Sequence, residues 1–294
     1  MLPPSGLLLA LALGAGNPAR PQEPPAPKAE LEVVGPATGI DVTFLANAGF
    51  LIQGLHFSFL IDAFLREPVG IYGALPTETY KDLVQAKDPF DGFTIVLVSH
   101  DHPDHVQYRG LEKFLASNNK AELMAAPRVL NALRSSARDF EAIQRRLCPV
   151  ETVPGSMKRA KQEEVTIDFF RLEHGGKNSA DVQNLGHVIE MGGVRLLHVG
   201  DDEPTAENFA PYDLEKRAID VAFVPYWFFG TPEGSRVLHE KIHARTVVAC
   251  HVPPSEWEKL NDLMKAQFPD VVLFHEALEK RHFEPASEER KAGG

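Results

Sequence analysis

Six consecutive residues, His100, Asp101, His102, Pro103, Asp104 and His105, put three imidazoles and two carboxylates into one short stretch. Imidazole nitrogen and carboxylate oxygen are the donors that suit zinc and similar divalent cations. In an extended turn, alternate residues present their side chains to the same crevice, which groups His100, His102 and Asp104. His105 adjoins Asp104 and can point away from it, toward a second centre, while Pro103 stiffens the turn. A single histidine is usually an ordinary core or surface residue. Four donors in six positions, directly after the apolar stretch "TIVLVS", weigh against that reading, and metal binding is the expectation.

The stretches around this cluster must position it. "TIVLVS" is fully apolar and reads as a buried strand. "DVTFLANAGFLIQG" and "FSFLIDAFL" are β-rich, separated by a short turn, and predict a hairpin. "DHVQYRGLEKFLASNN" carries Leu111, Phe114 and Leu115 at helical spacing, "AELMAAP" reads as a strand, and Pro127 opens a helix expected to reach about Arg146. The second half continues with strands in "EVTIDFFRLEHG", in "LGHVIEMGGVRLLHVGD" with a turn at Gly192-Gly193, in "AIDVAFVPYW", "TVVACH" and "VVLF". Helices are expected over 235–243 and 256–268. Apolar strands that need cover on both faces, mixed with helices and hairpins, predict an α/β (α+β) fold in which two mixed β-sheets pack together with helices on the outer faces, a four-layer αββα sandwich.

Composition bounds the rest. The chain has 294 residues, 44% hydrophobic, enough for a sizeable core. Thirty Lys and Arg against 41 Asp and Glu leave a formal charge of −11 with no basic block, which disfavours nucleic acid as a stable partner. Residues 1–16 hold an apolar run at 7–13 followed by small residues, the layout of a cleaved signal peptide, although residues 1–6 lack Lys or Arg. That run is too short to span a bilayer. Export to the periplasm or the exterior follows if the segment is a signal; otherwise the chain stays cytoplasmic. Residues 17–30 are Pro/Ala-rich and read as a linker, 31–283 as the folded domain, and 284–294 as a polar tail. The two cysteines, Cys148 and Cys250, are too few for a disulfide scaffold or a Cys-rich zinc module, and Cys250 reads as a buried structural thiol.

"SHDHPDH" resembles the H-x-H-x-D-H signature of the metallo-β-lactamase-fold hydrolases. Other segments match in the same order: the first hairpin with Asp62, "FFRLEHGG" with His174, "VRLLHVGDDE" with Asp201, and "TVVACHVPP" with His251. The likeness covers roughly residues 31–274, and its layout is most similar to ascorbate-phosphate lactonase-like proteins and their phospholipase D relatives. Asn47 stands where such proteins often carry Gly-His, and Asp202 where Thr is common. The resemblance implies two metal ions, zinc in preference to manganese or iron. His100, His102 and His174 would bind the first, and Asp104, His105 and His251 the second, with Asp201 bridging. It also implies a hydroxide held between the metals as nucleophile, oriented by Asp104.

Asp62 is expected to anchor the metal loops through hydrogen bonds, and His198 to stand behind a ligand or simply to be buried. His187 is expected in the core or pocket wall. Tyr226 and Trp227, in "PYWFFG", and Lys177 are candidate pocket residues, and the segments that follow Asp62 and His174 are candidate rim loops. The function expected is hydrolysis of an ester, lactone or phosphodiester in a small molecule or lipid. The alternatives are a non-catalytic metal-binding or regulatory member of the same fold, and a nuclease-type member.

Overall fold

The computed structural model describes residues 38–176, 179 and 181–286. The expected leader and linker, the polar tail beyond residue 286, and Lys177 lie outside the described residues. Among the described residues, fourteen strands form two seven-stranded sheets. The first half runs β1 (Ile40–Ala46), β2 (Gly49–Gln53), β3 (Ser58–Ile61), α1 (Thr77–Val84), β4 (Thr94–Val98), α2 (Tyr108–Ser117), β5 (Glu122–Ala125), α3 (Pro127–Ser136) and β6 (Leu147–Pro149). The second half runs β7 (Met157–Gln162), β8 (Val165–Leu172), β9 (Asn184–Met191), β10 (Val194–His198), α4 (Ala206–Phe209), β11 (Val221–Pro225), α5 (Pro232–Arg236), β12 (Thr246–Cys250), α6 (Trp257–Gln267), β13 (Val272–Leu273) and β14 (Lys280–Phe283).

One sheet has the order β14-β1-β2-β3-β4-β5-β6 and the other β13-β12-β11-β10-β9-β8-β7. In each, one half is antiparallel and the other, β3 to β6 or β10 to β13, is parallel. Side chains alternate along the strands between two cores. Phe59, Ile61, Ile95 and Leu97 pack between the sheets against Val221 and Phe223. Leu60, Val96 and Val98 face outward onto Leu83 of α1, Phe114 of α2 and Leu133 of α3. Leu197, Ala222 and Val224 face the opposite way, onto Phe209 of α4 and Met264 of α6. This is the expected αββα layering. Burying each large apolar side chain contributes roughly 1.5–3 kcal/mol, so a one-residue slip that swapped the faces of a strand would be very costly.

Three local expectations change. "DVTFLANAGFLIQG" is two strands rather than one, because Asn47 takes φ 53° and turns β1 back into β2. The helix after Pro127 stops at Ser136 instead of near Arg146. There Ser135 and Ser136 return their hydroxyls to the carbonyls of Asn131 and Ala132, and the Glu112 carboxylate takes the backbone N–H groups of Arg138 and Asp139. Near 235–243 the helix begins earlier, at Pro232, and continues as a π-helical turn over Val237–Ile242. Edge strands β7 and β14, in "MKRAKQ" and "KRHF", carry too many charges to be read as strands locally.

Candidate metal centre

The donors stand at the carboxyl ends of strands from both sheets, in the crevice where α/β folds place their ligands. His100, His102, Asp104 and His105 follow β4, His174 follows β8, Asp201 follows β10 and His251 follows β12. Gly200 makes the approach of Asp201 possible. It has φ 66°, and a Cβ there would lie 2.1 Å from Asn184 Oδ1. His251 also has a left-handed backbone, φ 60°, and its N–H donates to the Asn47 carbonyl at 3.1 Å.

Two donor groups result, His100, His102 and His174 in one, and Asp104, His105, Asp201 and His251 in the other, with ligand atoms within 4.8 Å of one another in each. His100 Nε2 lies 3.0 Å from His102 Nδ1 and 3.3 Å from His174 Nε2. His251 Nε2 lies 3.2 Å from His105 Nε2, 3.2 Å from Asp104 Oδ2 and 3.1 Å from Asp201 Oδ2. A tetrahedron with Zn–N bonds of about 2.0–2.1 Å has edges of about 3.3 Å, so these spacings fit zinc or a cation of similar size. The tautomers fit as well. His105 Nδ1 donates to Asp62 Oδ2 at 2.8 Å and His174 Nδ1 to the Gly175 carbonyl, which leaves each Nε2 lone pair facing the donor group.

Electrostatics divides the two groups. Burial, and then the imidazole of His105, holds His100 well below the ordinary histidine range, and burial lowers His174 too, so both stay neutral. In the second group burial works against charge, but Asp201 and Asp62 raise His105, and Asp201 and Asp104 raise His251. Burial would raise Asp201, yet His105 and His251 hold its carboxyl well below the carboxylate range. These carboxylates draw positive charge onto neighbouring imidazoles, and a divalent cation supplies the same charge. The residues present therefore fit metal ions on spacing, tautomer and charge.

Asp62 is buried and lies behind the donors. Its Oδ1 accepts from Ser99 N–H at 2.8 Å and its Oδ2 from Ser99 Oγ at 2.6 Å, besides the bond from His105. The ring nitrogens of His198 face the Ala48 carbonyl and Gly200 N–H, each at 3.3 Å, rather than a donor. His187 is in the core with neither ring nitrogen partnered, and burial lowers it to about 3. Burial also raises Cys250, as suits a structural thiol, and both cysteines are free. A cleft of about 440 Å³ is lined by His174, Asp201, Glu203, Pro204, Trp227 and Thr231. Trp227 packs edge-on to His251 at 5.2 Å and Tyr226 packs on Trp227 at 5.5 Å.

Two nearby residues escaped the sequence reading. Tyr72 lies in the loop named as a rim, and its ring meets His251 at 4.0 Å, edge to face. Burial, then Tyr226, Asp201 and Asp104, keep its hydroxyl protonated. Asn47, noticed only as a departure from the resembled pattern, donates from Nδ2 to the Asp104 carbonyl at 2.9 Å and so ties the first hairpin to the donor loop. No local signal marks either contact, since the partners are far apart in sequence. Asp202, the other departure, is buried with both carboxyl oxygens unpartnered, and burial keeps it uncharged.

A family profile described as "Beta-lactamase superfamily domain" matches residues 58–275, and the chain belongs to that superfamily. A protein of Thermococcus onnurineus (strain NA1) named as a metal-dependent hydrolase is 27% identical over 236 residues, covering 75% of this chain and 92% of that one. Among solved structures, a metallo hydrolase from the hyperthermophilic archaeon Ignicoccus hospitalis KIN4/I aligns with TM-score 0.57 and 17% identity, over 85% of this chain and 100% of that one. An isothiocyanate hydrolase from Delia radicum gut bacteria aligns with TM-score 0.60 and 16% identity, over 83% of this chain and 99% of that one. At such identities the two structures share the fold.

Proposed function

We propose that this chain is a metal-dependent hydrolase that uses two divalent cations, zinc by preference, to cleave an ester, lactone or phosphodiester of a small molecule or lipid. The carrying observation is the meeting of seven donors in two adjoining groups at strand ends. The name of the 27% identical relative supports metal dependence and hydrolysis. The segments matching the ascorbate-phosphate lactonase-like layout favour lactones and phosphate esters within that range.

His100, His102 and His174 would hold one ion, and Asp104, His105 and His251 the other, with Asp201 shared. Bound there, the ions would acidify water and polarise the oxygen of the scissile bond. Asp104, held ionised by its bond with His251 against the effect of burial, would orient the attacking water. Asp62 fixes the His105 ring through Nδ1, and Ser99 braces that contact. Trp227 walls the cleft beside His174 and Asp201, where its indole would shield a bound substrate from water. Tyr72, whose ring packs on His251, offers a protonated hydroxyl. No serine or cysteine nucleophile is needed.

The test is metal analysis of purified protein with hydrolysis of lactone, thioester, phosphodiester and β-lactam panels before and after chelation. Activity lost on stripping and restored by zinc supports the reading. Turnover undiminished in protein shown to hold no metal overturns it.

A further inference from the structure

A second cavity, of about 130 Å³, is lined by Phe44, Asn47, Ala74, Trp257, Phe274 and Ala277 among others. Its wall is mostly apolar, and Asn47 and His275 contribute its polar side chains. Phe44 stacks on Phe274 at 5.8 Å, and Trp257 Nε1 is already committed to the Phe274 carbonyl at 2.8 Å. The cavity adjoins the donor groups through the chain itself. Cys250 and Val252, on either side of His251, line it, and so does Gly73, next to Tyr72. Of the four exposed large apolar side chains among the described residues, Leu278 follows the lining residue Ala277, and Ile71 is two positions before Gly73.

Asn47 supplies the one unmet polar demand. Its Nδ2 is used by the Asp104 carbonyl and its own carbonyl by His251 N–H, whereas its Oδ1 is buried without a partner. An orphaned buried acceptor costs about 1–3 kcal/mol, so a group that brings a donor there binds with advantage. Size sets the rest. An apolar cavity of about 150 Å³ holds a benzene ring, so this one takes a phenyl-sized group or a chain of roughly five carbons, and a long acyl chain would be left outside.

We infer that this cavity is a specificity subsite for the apolar arm of the substrate, a phenyl- or butyl-sized group carrying one O–H or N–H that donates to Asn47 Oδ1. The inference rests on the proposed hydrolysis only in assigning the arm to a hydrolysed molecule. Binding itself is read without turnover. The chain has two tryptophans, so Trp227→Phe leaves Trp257, in the cavity wall, as the single reporter. Benzyl alcohol titrated into this variant should shift Trp257 emission saturably, toluene should bind several-fold more weakly for want of a donor, and glycerol should have no effect. In the same background Ala277→Phe fills the space and should weaken benzyl alcohol at least tenfold. Ala277→Leu should give an intermediate loss, and thermal melts check that each variant is folded. A change that does not saturate, or that folded Ala277 variants leave intact, overturns the subsite. In turnover, Ala277→Phe should raise KM for benzyl esters at least tenfold relative to methyl esters with kcat retained. Saturable, Ala277-sensitive binding in a protein that cleaves no ester or phosphodiester leaves the subsite standing and overturns the hydrolase reading instead.

Discussion

Asp62 Oδ2 accepts a hydrogen bond from His105 Nδ1 at 2.8 Å, although 43 positions separate the two residues. The contact joins the end of β3 to the donor loop after β4, and these strands are parallel neighbours. It selects the His105 tautomer whose Nε2 faces Asp201 and His251. Asp62→Ala should therefore lower metal affinity by about 10–100-fold while the sheets persist. Competition with a chromophoric chelator measures the loss, and unchanged affinity would remove Asp62 from this role.

Asp201 carries a stronger expectation. Its two oxygens lie 3.2 Å from His105 Nε2 and 3.1 Å from His251 Nε2, and its side chain also lines the cleft with His174. Asp201→Ala should remove activity and at least one metal ion per chain, with the far-ultraviolet circular dichroism of the folded protein retained. Elemental analysis decides the matter, and a full metal complement in the variant would refute the shared-ligand assignment.

Metal removal should also lower stability, because ions that bind only the folded chain stabilise it by mass action. At free metal one hundred times Kd the gain is about 2.7 kcal/mol, which corresponds to roughly 5–10 °C in Tm for a domain of this size. Calorimetry in chelator and in a zinc buffer series should show Tm rising with the logarithm of free metal. A Tm indifferent to free metal would contradict a site formed by folding.

Far from the centre, Asp168 on β8 meets Arg159 in a paired contact, Nε at 2.6 Å and Nη2 at 2.8 Å, and also meets Arg217. Burial would raise its carboxyl, but the two guanidiniums hold it below the ordinary value of 3.8. Its stabilising contribution is then fully present above pH 3.8 and is lost as the pH falls through the lower folded value. Asp168→Asn should cost about 1 kcal/mol at neutral pH, since Arg159 is largely exposed. The gap between the urea-unfolding free energies of the two proteins should stay level down to about pH 5 and close below it. A gap that widened toward acid would show the opposite sign of coupling.

The layering and the donor loop were legible because both are local. Strands such as β4 are apolar at successive positions, Ile95 to Val98, which requires cover on both faces, and the motif from His100 to His105 is contained in one turn. Strand β14 was not legible. Lys280, Arg281 and His282 look like a surface loop, and they become a strand only because β1 offers an open edge in register, Ile40 opposite Phe283. The early end of α3 depended in the same way on Glu112, a residue of another helix that captures two backbone donors.

By itself the sequence determined which side chains can bind metal and which faces of the strands must be buried, since donor chemistry and the two-residue strand period act over a few positions. Tertiary structure alone decided that His105 meets His251 across 146 positions, that Tyr72 lies against His251, and that Asn47 binds the Asp104 carbonyl while leaving an acceptor unmet. Those contacts depend on how two sheets are pressed together by the burial of their shared core, a sum over the whole chain that no short window contains.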